Sequence, residues 1–181
     1  IAVSTMRAGN VIGGGDYAED RIIPDCVRAA VKKKDIFIRN PYAVRPFQHV
    51  LEPVMAYLMV AAKQYENKEF AGSYNVGPEE KDCLSVCELV DVFCKKWESV
   101  SQERIIWISQ NTEKFHEASI LKLDCSRLKK IFSWKPFWNI EKAVGKSTEL
   151  YYVIQCNNKN DVEKCIVRQI EEYQKKNSWL T

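Results

Sequence analysis

The sequence predicts an α/β domain with several short strands and more helix than strand. Three observations carry that prediction. Short β-type runs recur along the chain, and three of them end in a polar residue near glycine or proline: Asn10 before Gly13, Arg45 before Pro46 and Asn75 before Gly77. Between the runs, apolar residues return at the three-to-four spacing of a helix. Helix-start chemistry marks the boundaries, most clearly the capping box Ser85-x-x-Glu88.

Residues 1–6 read as a buried apolar strand. It leads into Arg7-Ala8-Gly9-Asn10-Val11-Ile12-Gly13-Gly14-Gly15-Asp16. Glycine permits positive φ and close approach of a ligand, and Asn and Arg supply donors at a strand end. A strand ending this way suits the wall of an anionic-ligand site, and it suits a plain tight turn equally well. A helix opens at Ile22-Ile23-Pro24, with Ile23, Cys26, Val27, Ala30 and Val31 on one face and Lys32-Lys33-Lys34 loading its C-terminal end. Residues 35–39 form a strand, Asn40-Pro41-Tyr42 a turn, and residues 44–50 an extended segment. A helix over residues 52–64 places Val54, Tyr57, Leu58 and Ala61 on one face. Residues 73–78 are a strand closing in a glycine turn. The capped helix that follows carries Val86, Leu89, Val90, Phe93 and Trp97, and residues 105–108 form a strand. Residues 124–132 make a short helix stopped by Trp134-Lys135-Pro136. Asn139 caps a helix through Tyr152, and the last helix covers residues 161–175.

The chain has 181 residues, 46% of them hydrophobic, enough for one compact domain or a domain plus an extension. Net charge is +3, from 27 basic and 24 acidic residues, too balanced to indicate nucleic acid or a membrane surface as partner. No apolar run reaches the length of a membrane span and no signal peptide is recognisable, so a cytoplasmic protein is expected. The seven cysteines form no C-x-x-C pair and only two histidines accompany them. Reduced thiols acting as small hydrophobes are expected, and no metal site.

Arg7, Arg21, Arg39 and Arg45 offer guanidinium groups of the kind that bind a diphosphate. His49 reads as a hydrogen-bonded structural histidine, and His116-Glu117 as a pair able to touch a sugar hydroxyl or a phosphate. No G-x-G-x-x-G, no Tyr-x-x-x-Lys and no nucleophile elbow occurs. The residues present suit binding rather than reaction.

Together these segments resemble the carboxyl-terminal half of an extended short-chain dehydrogenase/reductase, of the NAD-dependent epimerase/dehydratase superfamily, and within it the CDP-glucose 4,6-dehydratases. The resemblance rests on residues 7–16 as quoted, on Asp20-Arg21-Ile22-Ile23-Pro24-Asp25 and on Ile38-Arg39-Asn40-Pro41. It continues in Arg45-Pro46-Phe47-Gln48-His49-Val50-Leu51-Glu52-Pro53, Tyr74-Asn75-Val76-Gly77-Pro78, His116-Glu117-Ala118, Leu123-Asp124-Cys125-Ser126 and Trp134-Lys135-Pro136. Related branches tend to carry Arg-Asp-Trp or Arg-Asp-Tyr where this chain has Arg45-Pro46-Phe47.

The resemblance implies one last Rossmann-sheet strand plus the small mixed α/β substrate-binding domain. Residues 1–181 would form a single domain of a longer enzyme whose NAD-binding half, with the catalytic residues, precedes Ile1. The implied reaction of the parent is conversion of CDP-glucose to CDP-4-keto-6-deoxyglucose with bound NAD, in a homo-oligomer. This chain alone is expected to bind no NAD and to catalyse nothing. The substrate-binding residues implied are Asn10 and Arg45 at the diphosphate, Arg21 and Ile22 along the nucleotide, Ile36 and Ile38 flanking the base, Asn75 and His116 near phosphate and ribose, and Arg39 in place of a family arginine missing before His116, where Glu113 and Lys114 stand. Tyr17 stands where close relatives often have tryptophan.

Two alternatives remain open at this point. One is another sugar-nucleotide epimerase or dehydratase. The other is a non-catalytic interaction module docking through residues 134–138 or the final helix. The strand at residues 1–6 is expected to lack sheet neighbours and to drive association.

Overall fold

The computed structural model describes residues 1–109, 120–156 and 159–175. Strands β1 (Thr5–Ala8) and β2 (Asn10–Ile12) lead to helix α1 (Ile22–Val31), followed by β3 (Ile36–Ile38), β4 (Val44–Arg45) and β5 (Phe47–His49). Helix α2 (Leu51–Glu66), β6 (Ser73–Val76), β7 (Leu84–Ser85), α3 (Val86–Ser101) and β8 (Trp107–Ser109) come next. Helices α4 (Ser126–Phe132), α5 (Ile140–Gln155) and α6 (Lys159–Gln174) complete the described chain.

The strands associate in pairs, β1 with β6, β2 with β5 and β3 with β8 in parallel, and β4 with β7 antiparallel. In β2–β5, Asn10 lies opposite Phe47 and Ile12 opposite His49. Parallel neighbours need a crossover, and α1 and α2 lie within the crossovers here. The main core is built where α1, α3 and α5 close over β2, β3 and β5, around Ile23, Val27, Leu89, Phe93, Val144 and Tyr151. A second cluster joins α2, β6 and α4 through Val60, Tyr74, Val76, Leu128 and Trp134. A third, of Met55, Trp138 and Tyr173, ties α2 to the start of α5 and to α6.

The local signals hold in detail. Pro24 sits in the first turn of α1, where no intrahelical partner is lost. The Ser85–Glu88 capping box starts α3, and the Asn139 side chain accepts from the Lys142 N–H at 3.0 Å to start α5.

Four expectations need correction. Residues 1–6 are not a buried strand: Ile1 and Val3 are exposed, and regular pairing begins at Thr5. That strand also has a neighbour, β6; its other edge has no partner among the described residues. The predicted face of α2 is the outward one. Val54, Tyr57 and Leu58 are exposed, while Glu52, Met55, Ala56, Met59 and Val60 are buried. The helix has apolar residues on two sides, and β6 and α4 select the side bearing Val60. Finally, Trp134 and Trp138 are buried at 6% and 3% exposure, so residues 134–138 present no tryptophan docking surface.

Candidate functional site

Two of the polar strand ends come together with the start of α1. Asn10 opens β2, Arg45 ends β4, and Arg21 stands at the cap position of α1. These residues line one cavity of about 160 Å³, together with Ile22, Phe47 and Tyr151. Ordinary small-molecule sites run to about 300–1,000 Å³, so this space suits a diphosphate-sized portion of a ligand rather than a whole nucleotide sugar.

Its electrostatics favour an anion. Among the described residues no side chain caps α1, and Arg21 at its cap position together with Ile22, Ile23 and Pro24, its first residues, lines the cavity. The helix therefore turns uncapped N–H groups and the positive end of its dipole toward the space. Two acids also line it, but each is engaged. Asp16 accepts from the Ala18 N–H at 2.9 Å, and Asp20 is ion-paired with Arg39 at 2.5 Å. Arg45 donates to its own neighbour's carbonyl, Val44, at 2.9 Å. Tyr151 stays a neutral donor, because burial and the nearby Asp16 push its pKa up to about 12.

The other sequence-selected residues lie elsewhere. Ile36 and Ile38 are 1% and 2% exposed, packed into the main core, and Phe37 between them faces outward. They form no apolar bed on the cavity wall, because strand alternation turns both toward α1. Arg39 is held by Asp20 at the rim. The Asn75 side-chain amide donates to the Asp124 carbonyl at 3.0 Å, linking β6 to the approach to α4. His116 falls outside the described residues. His49 is structural, as expected: it is buried, its Nδ1 accepts from the Leu51 N–H at 3.3 Å, and its ring lies edge-on to Trp138 at 4.7 Å. Burial and, secondarily, Lys146 push its pKa down to about 4.

Two features were missed by sequence reasoning. The Tyr151 hydroxyl donates to the Asp16 carbonyl at 2.6 Å beside the cavity. Glu52 is 0% exposed and accepts from the Phe137 and Trp138 N–H groups and the Tyr173 hydroxyl. Among the described residues no cluster of histidine, cysteine and acidic side chains is arranged to hold a metal, and no helix is long and apolar enough to cross a membrane. All seven cysteines are free thiols.

No family model matches the chain. CDP-glucose 4,6-dehydratase of Salmonella typhimurium is 36% identical over 174 residues, which is 96% of this chain and 47% of that enzyme. The match falls on its carboxyl-terminal part, and the chain spans about half the relative's length. Among solved structures, UDP-glucose-4-epimerase from Stenotrophomonas maltophila, with bound NAD and formylated UDP-arabinopyranose, superposes with a TM-score of 0.68 at 14% identity, covering 87% of this chain and 49% of that one. UDP-glucuronic acid 4-epimerase from Bacillus cereus, in complex with UDP-glucuronic acid and NAD, gives 0.64 at 14% identity over 83% of this chain and 45% of that one. dTDP-glucose 4,6-dehydratase from Bacillus anthracis, in complex with NAD, gives 0.60 at 17% identity over 81% and 43%. The chain is thus similar along nearly its whole length to the carboxyl-terminal part of CDP-glucose 4,6-dehydratase, and its fold is that of the corresponding half of the extended short-chain dehydrogenase/reductase epimerases and dehydratases.

Proposed function

We propose that this chain is the nucleotide-sugar-binding portion of a 4,6-dehydratase that converts CDP-glucose to CDP-4-keto-6-deoxyglucose, and that the cavity beside α1 holds the substrate's diphosphate. One observation carries the reading: Arg45, Arg21, Asn10 and the uncapped start of α1 meet at a single cavity. Guanidinium forks and helix-start N–H groups are the donors a diphosphate takes. The sequence similarity to the Salmonella enzyme supports the sugar nucleotide named.

In this reading NAD belongs to the whole protein and is held by residues other than these. The chain's glycines do not form a dinucleotide fingerprint, and Gly14 lies against Leu150 so closely that a Cβ would sit 2.4 Å from its side chain. That glycine serves chain-on-chain packing, not a pyrophosphate cradle. These residues do not fit the cofactor. The chain's part is binding. The open edge of β1 and the outward apolar residues of α2 form the surface against which a cofactor-binding half would pack, a reading supported by the 55% exposure of Leu58. A soluble cytoplasmic homo-oligomer is the corresponding proposal for the whole enzyme.

The test is calorimetric titration of the chain with CDP, UDP, dTDP and GDP, repeated with Arg45→Ala. Selective CDP binding is expected, weakened by the substitution by about 1.5–3 kcal/mol, roughly ten- to a hundredfold. Equal affinity for the four nucleotides would replace CDP-glucose with a broader sugar-nucleotide class, in keeping with the burial of Ile36 and Ile38. Binding untouched by Arg45→Ala would remove the diphosphate from this cavity.

A further inference from the structure

The loop between β2 and α1 forms one wall of the cavity, and its position is set from outside. Gly13 and Asp16 line the cavity. From α5, three contacts reach this loop in succession. Leu150 fills the space beside Gly14, where a Cβ would come within 2.4 Å of it. The Tyr151 hydroxyl donates to the Asp16 carbonyl at 2.6 Å across 135 residues of sequence. Its ring meets Tyr17 edge-on at 6.0 Å. From α1, Arg28 donates to the carbonyls of Tyr17 at 3.0 Å and Ala18 at 3.2 Å, and it is itself paired with Asp25.

The loop has little of its own to fix it. Residues 15–20 are exposed, Gly15 and Asp20 adopt positive φ of 89° and 59°, and one internal side-chain bond, Asp16 to the Ala18 N–H, ties it locally. Tyr151, by contrast, is fully buried in the main core. A core-anchored side chain thus projects one hydroxyl onto an exposed wall.

We propose that Tyr151 is a positioning residue for nucleotide binding: it fixes the Gly13–Ala18 wall and thereby the width of the diphosphate cavity. The claim that the wall is held stands on the contacts alone; its consequence for affinity rests on the nucleotide reading above.

The experiment joins a ligand-free measurement to a titration. In Tyr151→Phe the ring stays and only the donated bond is lost. Amide hydrogen exchange at Ala18 is expected to quicken at least tenfold, with the amides of α5 unchanged. CDP affinity is expected to fall at least fivefold while the unfolding midpoint moves little. Gly14→Ala, which pushes the same wall away from Leu150, is expected to give both effects without touching Tyr151. Unchanged exchange at Ala18 in both variants overturns the proposal, as does faster exchange with unaltered CDP affinity. A wild-type chain that binds none of the nucleotides overturns the nucleotide reading and with it the affinity claim, and the exchange result then decides the wall claim by itself.

Discussion

The cavity beside α1 and the junction of α2, α5 and α6 both gather polar groups, but they dispose of them in opposite ways. At the junction, Glu52 is sealed from solvent and saturated: Trp138 N–H at 2.7 Å, Phe137 N–H at 2.9 Å and Tyr173 hydroxyl at 2.6 Å converge on one carboxylate. At the cavity, Arg21 is exposed, Arg45 is half-buried, and the start of α1 has no side-chain cap among the described residues. A buried charge with every lone pair answered stabilises one packing and offers nothing to a ligand. Donors gathered around a partly open space stay accessible from it. Burial, not charge alone, separates the structural cluster from the candidate binding one.

The comparison breaks most readily at Glu52. Glu52→Ala leaves two buried N–H groups and a tyrosine hydroxyl without their acceptor, and we expect a loss of about 3–5 kcal/mol in urea unfolding at pH 7. A loss below about 1 kcal/mol would mean that the carboxylate is not what joins the three helices. Burial raises the Glu52 pKa, and the bonds from Tyr173, Trp138 and Phe137 pull it back.

His49, packed on the same junction, gives the next largest effect. Its folded pKa of about 4 lies below the unfolded value of 6.5, so the unfolded chain binds the proton more readily. The stabilisation is complete above pH 6.5 and is lost as pH falls toward 4, by about 3 kcal/mol at most. Glu52, with a raised pKa, works in the opposite direction from pH 4.5 upward, so the two partly cancel in the wild type. The stability of wild type minus that of His49→Asn isolates the histidine: the difference should grow from pH 4 to pH 7. A flat difference would place His49 in contact with solvent.

The smallest expected effect sharpens the reading of α2. Leu58→Lys should change stability by no more than about 0.5 kcal/mol, against about 2–5 kcal/mol for Met59→Ala on the buried face. A larger loss at Leu58 in this chain would show that the outward stripe is covered by a second copy, which sedimentation would reveal.

Much of this was legible in the sequence, and the boundary has a physical cause. The caps at Ser85 and Asn139, the strand at β6 and the α1 face of Ile23, Cys26, Val27 and Ala30 follow from short-range chemistry and stand in the structure, whereas Val31, expected on that face, is exposed. The face of α2 was not legible, because apolar residues on two sides leave the choice to β6 and α4, remote in sequence. Glu52 was hidden for the same reason: its partners lie 85 to 121 residues away. Asn10, Arg21, Ile22 and Arg45, expected from strand ends and resemblance, line one cavity. Ile36 and Ile38 lie in the core instead, because strand alternation tells which residues share a face but not which face is inward.

The pairing of β1 with β6 bears on how the chain acquires its shape. Thr5 and Ser73 are 68 residues apart, and nothing between them completes that pair. Closing so long a loop is repaid only when the contact forms, which puts the fold among slow, non-local topologies. On a ribosome adding about 5–20 residues per second, β1 emerges roughly 3–14 s before its partner. During that interval the edge of β1 that β6 will cover waits for its partner, and the early life of that strand belongs to whatever shields it.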